Sequence, residues 1–192
     1  MKKNILIVAI CAVIAVVFTA CPKPELTDEQ LLTHSKGWVL STATSVPAYE
    51  NKDGVKSENL FVSFFDQCEL DDILYFSKDG GSTMNFGKEI CSWDNGTQMS
   101  LGNWRFVDAT KEVLEFHLPY FFAANGINLA LLEAKVVTLT DKEKGAETLQ
   151  LRIPVEFTDD VTKGSNKILN TRGPKGAKGV DKFEFILTYK AK

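Results

Sequence analysis

Cysteine and histidine are scarce enough in this chain to be weighed one by one for chemistry. The cysteines are Cys11, Cys21, Cys68 and Cys91, and the only histidines are His34 and His117. A catalytic thiol needs a base within hydrogen-bond reach, and a zinc site needs closely spaced ligands. No C-x-x-C occurs, and no histidine neighbours a cysteine in sequence. His117 alternates with Phe116 and Leu118, which predicts a solvent-facing position beside Glu115. His34 ends the leading helical stretch, where a cation complements the helix dipole. The acidic group Asp66, Glu69, Asp71 and Asp72 is the best candidate for a cation, because crowded carboxylates can hold Ca²⁺ through oxygen. Its spacing does not follow an EF-hand loop, and solvated turn acids are the plainer reading. No nucleophile, base and orienting group assemble in sequence. The expectation is therefore a non-enzymatic protein with no catalytic residue, no metal and no cofactor.

Cys21 carries chemistry of another kind. A positive start, Met1-Lys2-Lys3, precedes the uncharged run Ile5–Phe18, which closes on the small residues Thr19-Ala20. These are the three parts of an export signal. The run is short for a membrane span, which takes about 20 residues. Pro22 and Pro24 then stop any helix from continuing. Phe18-Thr19-Ala20-Cys21 resembles the bacterial lipobox, with Phe where Leu or Val is usual. The resemblance implies cleavage before Cys21 and lipid attachment to its thiol. Plain secretion and an uncleaved anchor are the alternatives. Several acyl chains on one residue make a stable tether where a single chain does not.

Removal of residues 1–20 takes Cys11 with it and leaves Cys68 and Cys91 as the remaining pair. In an oxidising compartment a lone pair is most simply a disulfide. Roughly 170 residues suit one domain. Lys2 and Lys3 fall within the signal, so the remainder carries about 20 basic against 25 acidic residues. A mildly acidic chain without a basic helix is not built for nucleic acid. The expected division is a signal over residues 1–20, a tether over 21–30 and a β domain over 31–192.

The elements that must position these residues are mainly strands. Thr27 and Gln30 form a capping-box pattern for one short helix. From Gly37 the period becomes two, with Trp38, Leu40 and Thr42 on one face. Ser57–Asp66 instead spaces Leu60, Phe61, Phe64 and Phe65 for one side of a helix capped by Ser57, lying over a barrel end; a strand is the alternative. Later strands set Leu74 and Phe76, then Met84 and Phe86, then Gly102, Trp104 and Phe106, then Leu114, Phe116 and Leu118 inward. Asp79-Gly80-Gly81 marks a hairpin turn. Thr148–Phe157 alternates most regularly, though Pro154 predicts an end, a bulge or an edge. Phe183, Phe185, Leu187 and Tyr189 line the last strand. About eight antiparallel strands joined by short turns point to an all-β sandwich or up-and-down barrel with one or two short helices. The Gly- and Lys-rich stretch Asp159–Lys182 matches no phosphate-loop pattern and reads as a long hairpin loop.

Leu31-Leu32 before Gly37-Trp38-Val39-Leu40, the block Cys68–Phe76 followed by Asp79-Gly80 and Cys91, and Gly102-Asn103-Trp104 together resemble small bacterial lipocalin-like lipoproteins. The resemblance spans roughly Leu31 to Phe157 and implies an eight-stranded lipocalin-like barrel with its two cysteines bridged. The adjacent Gly37-Trp38 departs from the Gly-x-Trp usual at the first strand, and the Asp159–Lys182 loop is longer than the family's. The family has no common ligand to carry over. The functional expectation is a protein of the cell envelope, anchored to the membrane through Cys21. At one barrel end it would bind a small apolar or amphipathic ligand, or an envelope protein or glycan. Tyr120, Phe121 and Phe122, read as lying on a connection, are the candidate ligand-binding residues at a mouth, or else a plug beneath it. The alternative is an interaction or inhibitor module acting through Tyr120–Asn128 and Asp159–Lys182.

Overall fold

The computed structural model of the 192-residue chain describes residues 27–33, 36–51, 53–91, 96–123, 126–140, 147–158, 167–169 and 182–192. The side chains of 119–123, 126–129, 157–158 and 167–169 lie outside that description. So do residues 1–20, Cys21, His34 and most of Asp159–Lys182.

Among the described residues two short α-helices and eleven strands follow one another as α1 (Asp28–Leu32), β1 (Trp38–Glu50), β2 (Lys56–Asn59), α2 (Leu60–Ser63), β3 (Ile73–Phe76), β4 (Gly81–Asn85), β5 (Gln98–Asn103), β6 (Arg105–Phe106), β7 (Val113–Ala123), β8 (Gly126–Thr140), β9 (Thr148–Thr158), β10 (Lys167–Leu169) and β11 (Lys182–Ala191). The sheet runs β5-β4-β3-β1-β11-β9-β8-β7-β6. Its two end strands are consecutive pieces of one bent run, so the nine-strand path nearly closes on itself as an antiparallel barrel. Counted as one stave, β5 and β6 give the eight staves that the sequence suggests. Eight is the size at which side chains can fill the interior.

Alternation explains the core. Leu149, Leu151, Ile153 and Val155 of β9 are buried, as are Phe185, Leu187 and Tyr189 of β11 and Leu114 and Phe116 of β7. Leu74 and Phe76 face the same interior. Pro154 pairs with Glu184 of β11, but the β8–β9 ladder has already ended at Lys135 and Arg152. Its missing N–H therefore costs no ladder bond on that side, in keeping with an edge position.

Two bulges overturn parts of the expected pattern. The β1–β11 register shifts between Leu40 and Thr42, so Ala43 and Ser45 are buried while Thr42 is exposed. The β4–β5 register shifts after Ser82, and Gly102 takes a φ of +94°. One extra residue reverses the phase of a strand. Leu101 and Trp104 thus share the core, three residues apart, and Gly102 faces out. Ser57–Asp66 is also divided: β2 occupies its start, α2 is only four residues long, and Asn59 rather than Ser57 caps it. The Asp159–Lys182 stretch is more than a loop, since β10 within it pairs in parallel with β9.

Candidate functional site

The two ends of the barrel are built differently. At one end, the chain from β2 to β3 folds back over the staves. Phe64 packs edge-on against Tyr49, Phe65 and Phe185, with ring centroids 5.2–5.6 Å apart. Such pairs are worth about 0.5–1.5 kcal/mol beyond the area they bury. A disulfide between Cys68 and Cys91 fixes this corner, with a Cα–Cα distance of 5.3 Å. The acids expected as turn residues reinforce it. The Gly87 N–H donates to Asp72 Oδ1 at 2.9 Å, and the Lys88 N–H donates to Asp71 Oδ2 at 2.6 Å. The Glu69 carboxylate accepts from the Asp66 N–H at 2.6 Å. Among the described residues no three His, Cys, Asp or Glu side chains cluster to hold an ion.

Beneath this cover lies a cavity of about 50 Å³ bounded by Leu40, Phe65, Leu74, Met84, Met99 and Leu118, with Glu69, Asp72 and Tyr189 supplying polar atoms. That is room for a water or two, well below the roughly 150 Å³ that admits benzene. Burial pushes the Tyr189 phenol well above its ordinary range, so it stays neutral here.

At the opposite end the described residues leave more room. A groove of about 660 Å³ runs between α1, the β3–β4 turn and the β6–β7 turn, within the roughly 300–1,000 Å³ typical of ligand sites. Tryptophan indoles hold two of its walls. Trp38 Nε1–H donates to the Leu32 carbonyl at 2.8 Å and pins α1. Trp104 Nε1–H donates to the Ser77 carbonyl at 2.9 Å, and its main-chain N–H to that of Gly80 at 2.8 Å. The third wall is shaped by Asp108, whose carboxylate accepts from the N–H groups of Glu112 and Val113 at 3.1 and 2.8 Å. Lys111 sits there at φ +57°, and its Nζ reaches Glu29 of α1 at 3.1 Å. Phe106, half-buried, stands edge-on to the nearly buried Trp104 at 6.0 Å.

The electrostatics of this rim are fixed locally. Hydrogen bonds from the Ser77 hydroxyl and the Gly81 N–H hold Asp79 below its ordinary value of 3.8. Asp108 is lowered in the same way by the Thr110 hydroxyl and the N–H groups of Val113 and Glu112. Arg105 is raised by its two-point bond to Glu115, at 2.6 and 3.2 Å.

The residues expected from sequence fall elsewhere. Tyr120, Phe121 and Phe122 belong to β7, not to a connection, and Phe121 and Phe122 pair with Asn128 and Ile127 of β8. Their side chains lie outside the described residues. His117 does not simply face solvent. It is half-buried, its Nδ1 is buried without a hydrogen-bond partner, and its ring lies against Gly102, where a Cβ would sit 3.6 Å from Nδ1. Sequence reasoning does not mark the groove residues Glu29, Lys78, Arg105 and Lys111, because each lies in a different short helix, turn or strand. Comparison with protein-family models, curated proteins and solved structures finds no match.

Proposed function

We propose that this chain is a lipid-anchored, non-catalytic binding protein of the bacterial cell envelope, a lipocalin-like lipoprotein that binds its ligand at one end of the barrel. The carrying observation is the contrast in room: about 50 Å³ inside the barrel and about 660 Å³ in the groove beneath α1. The interior cavity bounded by the described residues is too small for a lipocalin-type ligand, whereas the groove has the size of a ligand site.

The anchor supports the same end. Six chain steps separate Cys21 from Thr27, where the capping box of α1 begins. Fully extended, they reach about 20 Å. A lipidated Cys21 would keep the α1 end, and with it the groove, within that distance of the bilayer surface, with the disulfide-bonded end pointing away. Intact-mass analysis of the protein from membranes is expected to show a chain beginning at an acylated Cys21, and Cys21→Ser should release it from the membrane fraction. A Cys21→Ser chain that stays membrane-bound through its uncleaved first residues would overturn the anchor. Ala109→Trp fills the groove from an exposed position and should abolish ligand capture without changing thermal stability.

A further inference from the structure

The chemical class of the ligand can be narrowed, on the reading that the groove is the binding site. Three cations, Lys78, Arg105 and Lys111, share the lining with three carboxylates, Glu29, Asp79 and Asp108. Asp79 and Asp108 are anchored in their turns by hydroxyl and main-chain donors, so they stay ionised and cannot swing away. A free anion entering the groove meets these fixed carboxylates, and a free cation meets the lysines. Neither sign is selected. An acyl chain fares no better, because covering the lining with it would desolvate six charged groups and offer them no new partner. The lining suits a neutral molecule that carries donors and acceptors side by side. Hydroxyl groups do this, donating to a carboxylate and accepting from an ammonium. The apolar part of the wall is aromatic, formed by Phe106 with Trp104 behind it. A ring with an apolar C–H face and a hydroxyl rim matches both halves of the lining. We propose that the groove binds a saccharide unit, with one ring face against Phe106 and its hydroxyls between Asp79, Lys78, Lys111 and Glu29.

A saccharide can come as a free oligosaccharide or as the headgroup of a glycolipid, and the recognising chemistry is the same. The test uses the full lipidated protein in phosphatidylcholine nanodiscs, titrated calorimetrically with a panel of gluco-, galacto-, manno- and N-acetylgluco-oligosaccharides and with glycerophosphocholine. A second set of nanodiscs carries a digalactosyl lipid, with protection of groove amides from hydrogen exchange as the readout. The expected result is saturable saccharide binding, or headgroup-dependent protection, weakened roughly tenfold or more by Phe106→Ala and abolished by Ala109→Trp. A loss of aromatic contact of about 1.4 kcal/mol is tenfold. Binding by soluble sugars identifies the free source, and protection only with the glycolipid identifies the headgroup. Glycerophosphocholine binding that Ala109→Trp removes, without any saccharide response, would overturn the saccharide assignment and leave the groove standing. Ligand binding untouched by Ala109→Trp overturns the groove itself.

Discussion

The two barrel ends use similar materials for opposite purposes. Around α2, aromatic side chains interlock, a disulfide ties the covering chain to the segment after β4, and carboxylates are spent on main-chain N–H groups. Around α1, aromatics and carboxylates are also present, but hydrogen bonds within each wall and one exposed ion pair between two of them set their positions. The first end is closed by redundancy. The second keeps its volume because its walls are fixed mainly to the barrel, with the Glu29–Lys111 bridge linking α1 to the β6–β7 turn. Room for a ligand therefore depends here on where the turns are anchored more than on what residues they contain.

The comparison can be broken most forcefully at the shared core. Phe116 is wholly buried between the two ends, and Phe116→Ala is expected to cost about 3–5 kcal/mol in denaturant unfolding. A loss under 1 kcal/mol would mean that the interior is not packed as described. Next comes the closed end alone. Removing the disulfide with Cys68→Ser and Cys91→Ser, at a sequence separation of 23, should cost about 3 kcal/mol while leaving groove binding intact. Equal loss of binding would show that the ends are coupled.

Smaller effects sharpen the picture of the open end. Asp79 and Asp108 have carboxyl pKa values lowered by folding. Their contribution is present above the unfolded-state value and is lost as pH falls through the lower folded one. Thermal scans should show stability declining below about pH 4, less steeply in Asp108→Asn than in the native protein. Smallest is Lys111→Gly. Glycine tolerates φ +57° better than lysine, and an exposed ion pair is worth little. The variant should be unchanged or more stable by up to about 1 kcal/mol by calorimetry. Marked destabilisation would assign the Glu29–Lys111 bridge a larger part in holding the groove.

Much of the barrel was legible because period-two runs such as Leu149, Leu151, Ile153 and Val155 record which face is buried. The pairing of Cys68 with Cys91 followed from arithmetic once Cys11 was assigned to the export segment. The bulges at Ser41 and Leu101–Gly102 were not legible, since an inserted residue shifts the phase without changing composition. Gly102 was the available hint, as an isolated glycine in a strand often marks a bulge. The groove was illegible for a different reason. Its walls come from α1 and two turns distant in sequence, and no local pattern says that Glu29 will meet Lys111. Only closure of the barrel brings them together.

The central claim, that ligand enters the groove and not the barrel interior, has a direct readout in the methionines. Beyond Met1 the sequence has two methionines, Met84 and Met99, and both line the interior cavity. Trp104 reports the groove. Methyl and indole NMR spectra can therefore be followed together while octyl glucoside is added as monomers to the protein in nanodiscs. The account predicts that the Trp104 indole shifts and the Met84 and Met99 methyls do not. Shifts of the two methyls with an unmoved indole would place the ligand inside the barrel and contradict it.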